Sequence, residues 1–137
     1  MLRRLHHIGI AVGDLNAATE LFARAFDLTP ERREVVESEK VEAVVFRVGD
    51  VGIELISSSD TESPVARFLE QRGQGLHHLA FEVDDLESTV ESVTQAGLAI
   101  IDGEARPGLS GTKVAFIHPR ELFGVLAELV EDLEKPD

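Results

Sequence analysis

The sequence predicts an α+β fold built from two similar βαβββ modules. Two observations support this prediction: a repeat at a constant offset of 71 residues, and hydrophobic patterns that follow the same order in both halves. Residues 5–12 and 76–83 are both strand-like runs, and each contains a doubled histidine after a leucine. Because neither half buries the apolar face of its own sheet alone, we expect the two halves to pair into one unit.

Alternation of apolar and polar residues predicts the strands, and apolar residues at helical spacing predict the helices. In the first half the predicted elements are a strand over residues 6–12, a helix over residues 15–26, and strands over residues 41–48 and 51–57. In the second half they are a strand over residues 76–83, a helix over residues 86–97, strands over residues 98–101, 112–117 and 124–130, and a loop over residues 106–111. The charged tail from residue 131 is expected to fray.

Capping residues mark where the predicted helices begin and end. Asp14 and Asp85 stand in N-cap positions before the helices of the two halves. Between the halves, Pro64 suits the first position of a linking helix and Gly73 its end. We therefore predict a single domain over residues 1–137, with module one at about residues 5–57, the linking helix at about 63–73 and module two at about 76–131.

Composition and charge argue against several classes of function. The net charge of −13 disfavours sequence-independent nucleic-acid binding, because such binding relies on Lys and Arg neutralising phosphates. No run approaches the roughly 18 apolar residues that span a membrane, so no membrane partner is expected. No cysteine is present, so a cytoplasmic location is expected and any metal must use His, carboxylate or water. An anionic ligand would need a local basic patch, for which the candidates are Arg32, Arg33, Arg47, Arg106, Lys113 and Arg120.

Strand parity separates the four histidines of the repeat into two classes. His6 and His77 share a strand face with bulky apolar residues, so we expect them to pack against helices. His7 and His78 share a face with small residues such as Gly9, which leave room for another group. The repetition favours a functional role for His7 and His78, and a structural role for all four histidines is the alternative.

Two glutamates repeat in the same way. Glu54 lies within an apolar strand of the first half, and Glu128 lies at the matching place in the second half. A carboxylate inside a sheet is costly unless it is paired or bound to metal, although a single one on a wet strand face is common. His7, His78, Glu54 and Glu128 therefore form a coherent donor set for a divalent metal such as Co, Ni, Mn or Zn.

Several runs of the chain together resemble methylmalonyl-CoA epimerases of the vicinal oxygen chelate superfamily. The matching runs, spread over about residues 5–130, are His7-Ile8-Gly9-Ile10-Ala11-Val12, Ser63-Pro64-Val65-Ala66-Arg67-Phe68-Leu69, Gly75-Leu76-His77-His78-Leu79-Ala80-Phe81-Glu82-Val83-Asp84-Asp85, Arg106-Pro107-Gly108, Gly111-Thr112-Lys113-Val114-Ala115-Phe116-Ile117-His118-Pro119 and Gly124-Val125-Leu126-Ala127-Glu128-Leu129. The resemblance implies a curved mixed sheet that encloses a metal site, with His7, Glu54, His78 and Glu128 as ligands. Cobalt is the metal it favours, with manganese, nickel and zinc as alternatives.

The resemblance also implies a reaction. The metal would bind a malonate-type carboxylate together with the thioester carbonyl, so that the 2R and 2S forms of methylmalonyl-CoA interconvert through an enolate. Glu128 is the implied catalytic residue on one face of the substrate, as both ligand and base. The opposing glutamate of several bacterial relatives aligns with Ala43, which cannot move a proton. Glu42 is adjacent, but one residue of register places it on the opposite face of the strand.

The partners implied by the resemblance are an acyl-CoA substrate and a second copy of the chain in a homodimer. Lys113 and Arg120 are candidates for holding an anionic thioester or phosphate group. Gly108 and Gly111 are candidates for close approach of the ligand to the backbone, because glycine lacks a side chain. The alternatives are a solvated surface charge for each basic residue and an ordinary turn for the glycines.

Other functions of the same fold are left open. A glyoxalase I-like lyase or isomerase acting on a thiol adduct would use the same ligands and the same enolate chemistry. A metal-free ligand-binding protein is disfavoured, because all four ligand positions are filled. An iron dioxygenase needs only two histidines and one carboxylate, so the fourth ligand at Glu54 counts against it.

Overall fold

The computed structural model describes residues 1–108 and 111–133. The strands and helices are β1 (Leu2–Ala11), α1 (Leu15–Phe26), β2 (Pro30–Val36), β3 (Val41–Val48), β4 (Val51–Ser57), α2 (Pro64–Arg72), β5 (Gly75–Val83), α3 (Leu86–Gln95), β6 (Arg106–Pro107), β7 (Thr112–Ile117) and β8 (Ala127–Asp132). The order β-α-β-β-β occurs twice, with α2 between the two copies. The predicted α+β class with repeated βαβββ modules is therefore confirmed.

The chain divides into two compact units, and the division falls inside the two histidine pairs. Residues 7–77 form what we call the first unit. Residues 1–6 together with residues 78 onward form the second unit. The boundaries thus lie between His6 and His7 and between His77 and His78, so each histidine pair contributes one residue to each unit.

In the first unit the sheet order is β2-β3-β4-β1, with β1 parallel to β4 and the other neighbours antiparallel. Helix α1 covers one face of this sheet. The buried core on that face consists of Val12, Leu15, Val44, Phe46 and Leu55. Because side chains alternate along a strand, the residues between these core positions point to the other face.

In the second unit the order is β5-β8-β7-β6, with β5 parallel to β8 and the other neighbours antiparallel. The core beside α3 consists of Val83, Leu86, Ala115, Ile117, Ala127 and Leu129. The other face carries a small apolar cluster of Ala80, Val114 and Val130. Glu82 is buried with an exposure of only 2%, and its Oε1 accepts a hydrogen bond from Arg4 Nη2 at 3.1 Å.

The predicted helix caps are confirmed. The Asp14 carboxylate accepts a hydrogen bond from the backbone N–H of Ala17 at 3.0 Å, and the Asp85 carboxylate accepts one from Ser88 at 3.2 Å. Pro64 occupies the first turn of α2, and Gly73 is its C-cap with φ 78°. These local signals fix where the helices start because they satisfy backbone N–H groups that have no partner inside a helix.

Four differences from the sequence analysis have local causes. The predicted strand over residues 98–101 is wrong, because Ile100 makes a single bridge to Ile117 and the chain then turns through a 3₁₀ segment, Ile101–Gly103. The last strand begins at Ala127 rather than at Gly124, whose φ of 94° is not an extended conformation. Within the predicted loop, Arg106–Pro107 pairs with β7 as β6, and residues 109 and 110 lie outside the described residues. Fraying of the tail from residue 131 is wrong for its first two residues, because β8 continues to Asp132, and residues 134–137 lie outside the described residues.

The sequence analysis also did not locate β2, which is rich in charge. Within residues 1–108 and 111–133, no helix is both long and apolar enough to span a bilayer.

We expect the substitutions Asp14→Ala and Asp85→Ala each to lower the free energy of unfolding by about 1 kcal/mol, because each removes an N-cap acceptor. Chemical denaturation followed by circular dichroism measures this change. Asp14→Asn and Asp85→Asn are the matched controls, since asparagine also caps helices, and they should stay close to the unsubstituted protein. Equal losses for Ala and Asn would show that the cap hydrogen bond is not the cause.

Candidate functional site

A buried histidine–glutamate pair lies on the face of the first unit's sheet opposite α1. His7 is on β1 and Glu54 on β4, and the parallel register sets Gly9 opposite Glu54. Because His7 and Gly9 share a strand face, the His7 and Glu54 side chains point the same way. His7 Nε2 lies 3.1 Å from Glu54 Oε2, and both side chains are only 6% exposed.

The second unit contains the same arrangement. His78 is on β5 and Glu128 on β8, and Ala80 stands opposite Glu128 in the parallel register. His78 Nε2 lies 3.1 Å from Glu128 Oε2, with side-chain exposures of 6% and 9%. In both units a small residue two positions after the histidine faces the glutamate across the strand pair. The repeat seen in the sequence is therefore also a repeat in geometry.

The chemistry of these four side chains fits a divalent cation. Each pair offers one imidazole nitrogen and one carboxylate oxygen, which are donors for ions such as Co²⁺, Mn²⁺, Ni²⁺ and Zn²⁺. A carboxylate this deeply buried requires a positive partner or a metal, since an isolated buried charge is costly. The residues present therefore fit the metal that the sequence analysis expects.

The neighbouring histidines have other surroundings. The His77 ring packs edge-on against the ring of Phe68 on α2, with centroids 4.8 Å apart. His6 is buried, with 9% exposure. The packing of His77 against a helix agrees with the structural role that strand parity predicts for it.

Ala43 occupies the position at which the family resemblance leads us to expect a second glutamate. It is fully buried and faces Ile56 of β4. Glu42 points the other way, because its Oε2 accepts a hydrogen bond from Arg33 Nε at 2.8 Å and Arg33 Nη1 donates to Asn16 of α1 at 2.6 Å. The hydrogen bond from Arg33 lowers the pKa of the Glu42 carboxyl. Glu42 is thus held on the α1 side of the sheet, as its register predicts.

Two charged residues of β2 lie on the same side as the first histidine–glutamate pair. Arg32 stands opposite Val45, which stands opposite Glu54, and Glu34 stands opposite Ala43. From the sequence, Arg32 is only one of several basic candidates, and no pattern singles out Glu34. Their alternation with Glu31 and Arg33 is a usable signal only once β2 is recognised as a strand.

The four residues suggested for substrate binding lie in the second unit. Lys113 is exposed and stands opposite Glu131, whose Oε1 accepts the N–H of Leu86 of α3, so Lys113 lies on the α3 side of its strand. Arg120 is exposed in the 3₁₀ turn Pro119–Leu122, and its backbone N–H donates to His118 Nδ1 at 3.0 Å. Their role in substrate binding stays a prediction.

The two glycines are held by the hairpin around β7. The backbone N–H of Gly108 donates to the carbonyl of Thr112 at 3.1 Å, and Gly111 has φ 72°. A Cβ atom at Gly108 would lie 2.5 Å from Thr112 Oγ1 and 2.7 Å from Val114 Cγ1. Internal packing is thus sufficient to require glycine at position 108.

Comparison with known proteins places this geometry in a family. The family model described as the glyoxalase/bleomycin resistance protein/dioxygenase superfamily matches residues 6–116. The chain belongs to this superfamily. The match covers most of both modules and includes the histidines of both pairs. The fold class predicted from the sequence is the fold of this family.

Comparison with individual relatives shows which members of the superfamily this chain resembles. The chain is 42% identical to the Bacillus subtilis protein YqjC, which is described as uncharacterized, over 95% of this chain and 93% of that protein. It is 31% identical to an ethylmalonyl-CoA/methylmalonyl-CoA epimerase of Cereibacter sphaeroides, over 94% and 98% of the two chains. A solved methylmalonyl-CoA epimerase in complex with methylmalonyl-CoA and NH4⁺ superposes with a TM-score of 0.94 at 30% identity, covering 99% of this chain and 100% of that one. The resemblance to methylmalonyl-CoA epimerases is confirmed.

We expect Gly108→Ala to lower the free energy of unfolding by about 1–3 kcal/mol, because the added methyl group overlaps Thr112 and Val114. Thermal denaturation measures the loss. Gly13→Ala is the matched control, since the nearest atom to an added Cβ there is Gln74 Oε1 at 3.7 Å, which is an ordinary contact. That control should change stability by less than about 0.5 kcal/mol, and similar losses for both variants would contradict the packing explanation.

Proposed function

We propose that the protein is a divalent-metal-dependent epimerase that interconverts the 2R and 2S forms of methylmalonyl-CoA. The observation that carries this proposal is the buried His–Glu pair, present once in each unit with the same 3.1 Å distance. The epimerases among the relatives, one of them with methylmalonyl-CoA bound, supply the substrate class.

The proposed ligands are His7, Glu54, His78 and Glu128, acting together on one ion. Their burial supports the proposal, because a buried carboxylate is costly unless it is paired or bound to a metal. Cobalt is the proposed ion, with manganese, nickel or zinc as alternatives. When bound, such an ion supplies Lewis-acid stabilisation of the negative charge that develops on the thioester oxygen during enolisation.

The protein's own residues have to move the proton and exclude water. We assign Glu128 as the acid–base residue on one face of the substrate, since its carboxylate has only 9% exposure and stands next to the His78 imidazole. Phe116 lies opposite Glu128 on β7, so an apolar side chain borders the place where the proton would move. A dry environment of this kind strengthens the electrostatic interactions on which enolate formation depends.

The proposal also includes further substrate contacts, the oligomeric state and the location of the protein. We assign Lys113 and Arg120 to an anionic thioester or phosphate group of the substrate, and Gly108 and Gly111 to close approach of the ligand to the backbone. We also propose a homodimer, on the strength of the family resemblance, and a cytoplasmic location, because the sequence contains no cysteine. Light scattering coupled to size-exclusion chromatography would test the dimer.

Metal analysis tests the ligand set without any activity assay. The purified protein should bind about one divalent ion per chain, and His7→Ala or His78→Ala should each abolish most of this binding, since both pairs act on one ion. His6→Ala and His77→Ala are the matched controls and should retain the metal. Two ions per chain, or unchanged metal content in either ligand variant, would contradict a single shared centre.

Isotope exchange tests the reaction. In D₂O, the protein loaded with cobalt should exchange the α-proton of methylmalonyl-CoA and interconvert its two stereoisomers, because both events require the same enolate. NMR spectroscopy follows the exchange, and the metal-free protein is the control. The epimerase assignment fails if the loaded protein exchanges the proton no faster than buffer containing the same metal.

A further inference from the structure

The proposed epimerase lacks one component that inversion requires. One group must remove the α-proton from one face of the substrate, and another must deliver a proton to the opposite face. Glu128 is assigned to one face, and Ala43 leaves the aligned position of the other group without a titratable side chain. We propose that Glu34, on the neighbouring strand β2, is the second acid–base residue. This inference rests on the proposed function.

Strand register places Glu34 beside Ala43. The antiparallel pairing of β2 with β3 sets Glu34 directly opposite Ala43, and that of β3 with β4 sets Ala43 opposite Ile56. Directly opposite residues project to the same face of a sheet, with Cβ atoms about 5 Å apart. The Glu34 side chain therefore rises next to the methyl group of Ala43, in the space that a longer side chain at position 43 would enter.

An independent contact fixes which face this is. Arg33, the neighbour of Glu34 along β2, donates a hydrogen bond from Nη1 to Asn16 of α1 at 2.6 Å. Alternation along the strand then places Glu34 on the face away from α1, which is the face of His7 and Glu54.

The side chains on the two faces of β2 differ in exposure, and the less exposed face is not the more hydrophobic one. Arg32 and Glu34 are half-buried, whereas Val35 is 56% exposed. Charged side chains thus occupy the less accessible face of the strand while a valine faces solvent. Inward-pointing charges on an edge strand also hinder aggregation, so protection of the edge is the competing explanation that an experiment has to separate.

The spacing between Glu34 and Glu54 within the first unit allows a small substrate to lie between their carboxylates. Glu34 is two strands away from Glu54 and two residues along. Strands about 4.8 Å apart, with a rise of about 3.4 Å per residue, put the two Cα atoms about 12 Å apart. Both side chains rise from the same face of the sheet, so the gap between them leaves room for a small acyl group above Ala43.

Arg32 adds a second sign of ligand binding on this face. Its Nε is buried and has no hydrogen-bond partner, and it lies 3.5 Å from Glu34 Oε1, which is too far for a good hydrogen bond. A buried donor without an acceptor destabilises the folded protein. The carboxylate of a malonyl-type substrate is an acceptor that would satisfy it.

The proposed step is a balanced proton transfer. The Glu34 carboxylate takes the α-proton of one stereoisomer, the C–H bond breaks, and its electron pair is delocalised into the thioester carbonyl. In this direction Glu128 starts protonated, and its carboxyl gives that proton to the opposite face of the same carbon, which forms a new C–H bond with inverted configuration. Glu128 then regains a proton from solvent, or takes one from the other stereoisomer in the reverse reaction. Nothing is oxidised or reduced. Glu34 has a side-chain exposure of 27%, so it can return its proton to water.

The test compares Glu34→Gln with Glu42→Gln, a matched control that removes a carboxylate from the opposite face of the same hairpin. Glu34→Gln should reduce kcat for epimerisation about 10²- to 10⁴-fold, the usual contribution of general acid–base catalysis. Glu42→Gln should reduce it less than about threefold. Both variants should keep the metal content and the melting temperature of the unsubstituted protein.

The decisive measurement is α-proton exchange followed separately for each of the two stereoisomers. In D₂O, Glu34→Gln should still exchange the α-proton of the stereoisomer served by Glu128 and should lose exchange from the other one. Equal rates from both stereoisomers, or epimerisation at the unsubstituted rate, would overturn the assignment of Glu34. Failure of the unsubstituted protein to exchange either stereoisomer would instead overturn the proposed function, so the two failures are distinguishable.

Discussion

The pairing of a buried imidazole with a buried carboxylate is the interaction on which the candidate site depends. Each glutamate interrupts an otherwise apolar strand, and each is held 3.1 Å from a histidine on the neighbouring parallel strand. Such a carboxylate is tolerated in a sheet interior only when it is paired or bound to a metal, so the strand register and the chemistry constrain one another. A one-residue slip of either strand pair would turn one member to the helix-covered face.

The histidine–glutamate pair is repeated in the two units, but the edge strands beside it depart from the repeat. On the face of the histidine–glutamate pairs, the edge strand of the first unit presents Glu34 opposite Ala43. At the matching place in the second unit, the edge strand presents Arg106 opposite Val114. Arg106 pairs with Asp102 and lies over the ring of Phe116. The two modules therefore carry opposite charges at equivalent positions.

Much of this site was accessible from the sequence because it depends on local rules. Period-two alternation separates His7 from His6, and its repetition at an offset of 71 residues identifies His78. The helix caps at Asp14 and Asp85 follow from the same kind of local pattern and are confirmed. The strand predicted over residues 98–101 failed, because its apolar residues Leu98 and Ile100 pack on the core without forming a ladder.

The sequence by itself determined the modules, the helix ends and the residue types able to bind a divalent metal. Only the tertiary structure decided which residues from distant parts of the chain stand side by side. Strand β2 is charged and weakly patterned, so its register with β3 is set by pairing across the sheet rather than by local preference. That register brings Glu34 next to Ala43. A proton-transfer group that is absent at one position of the sequence can thus be present on the adjacent strand.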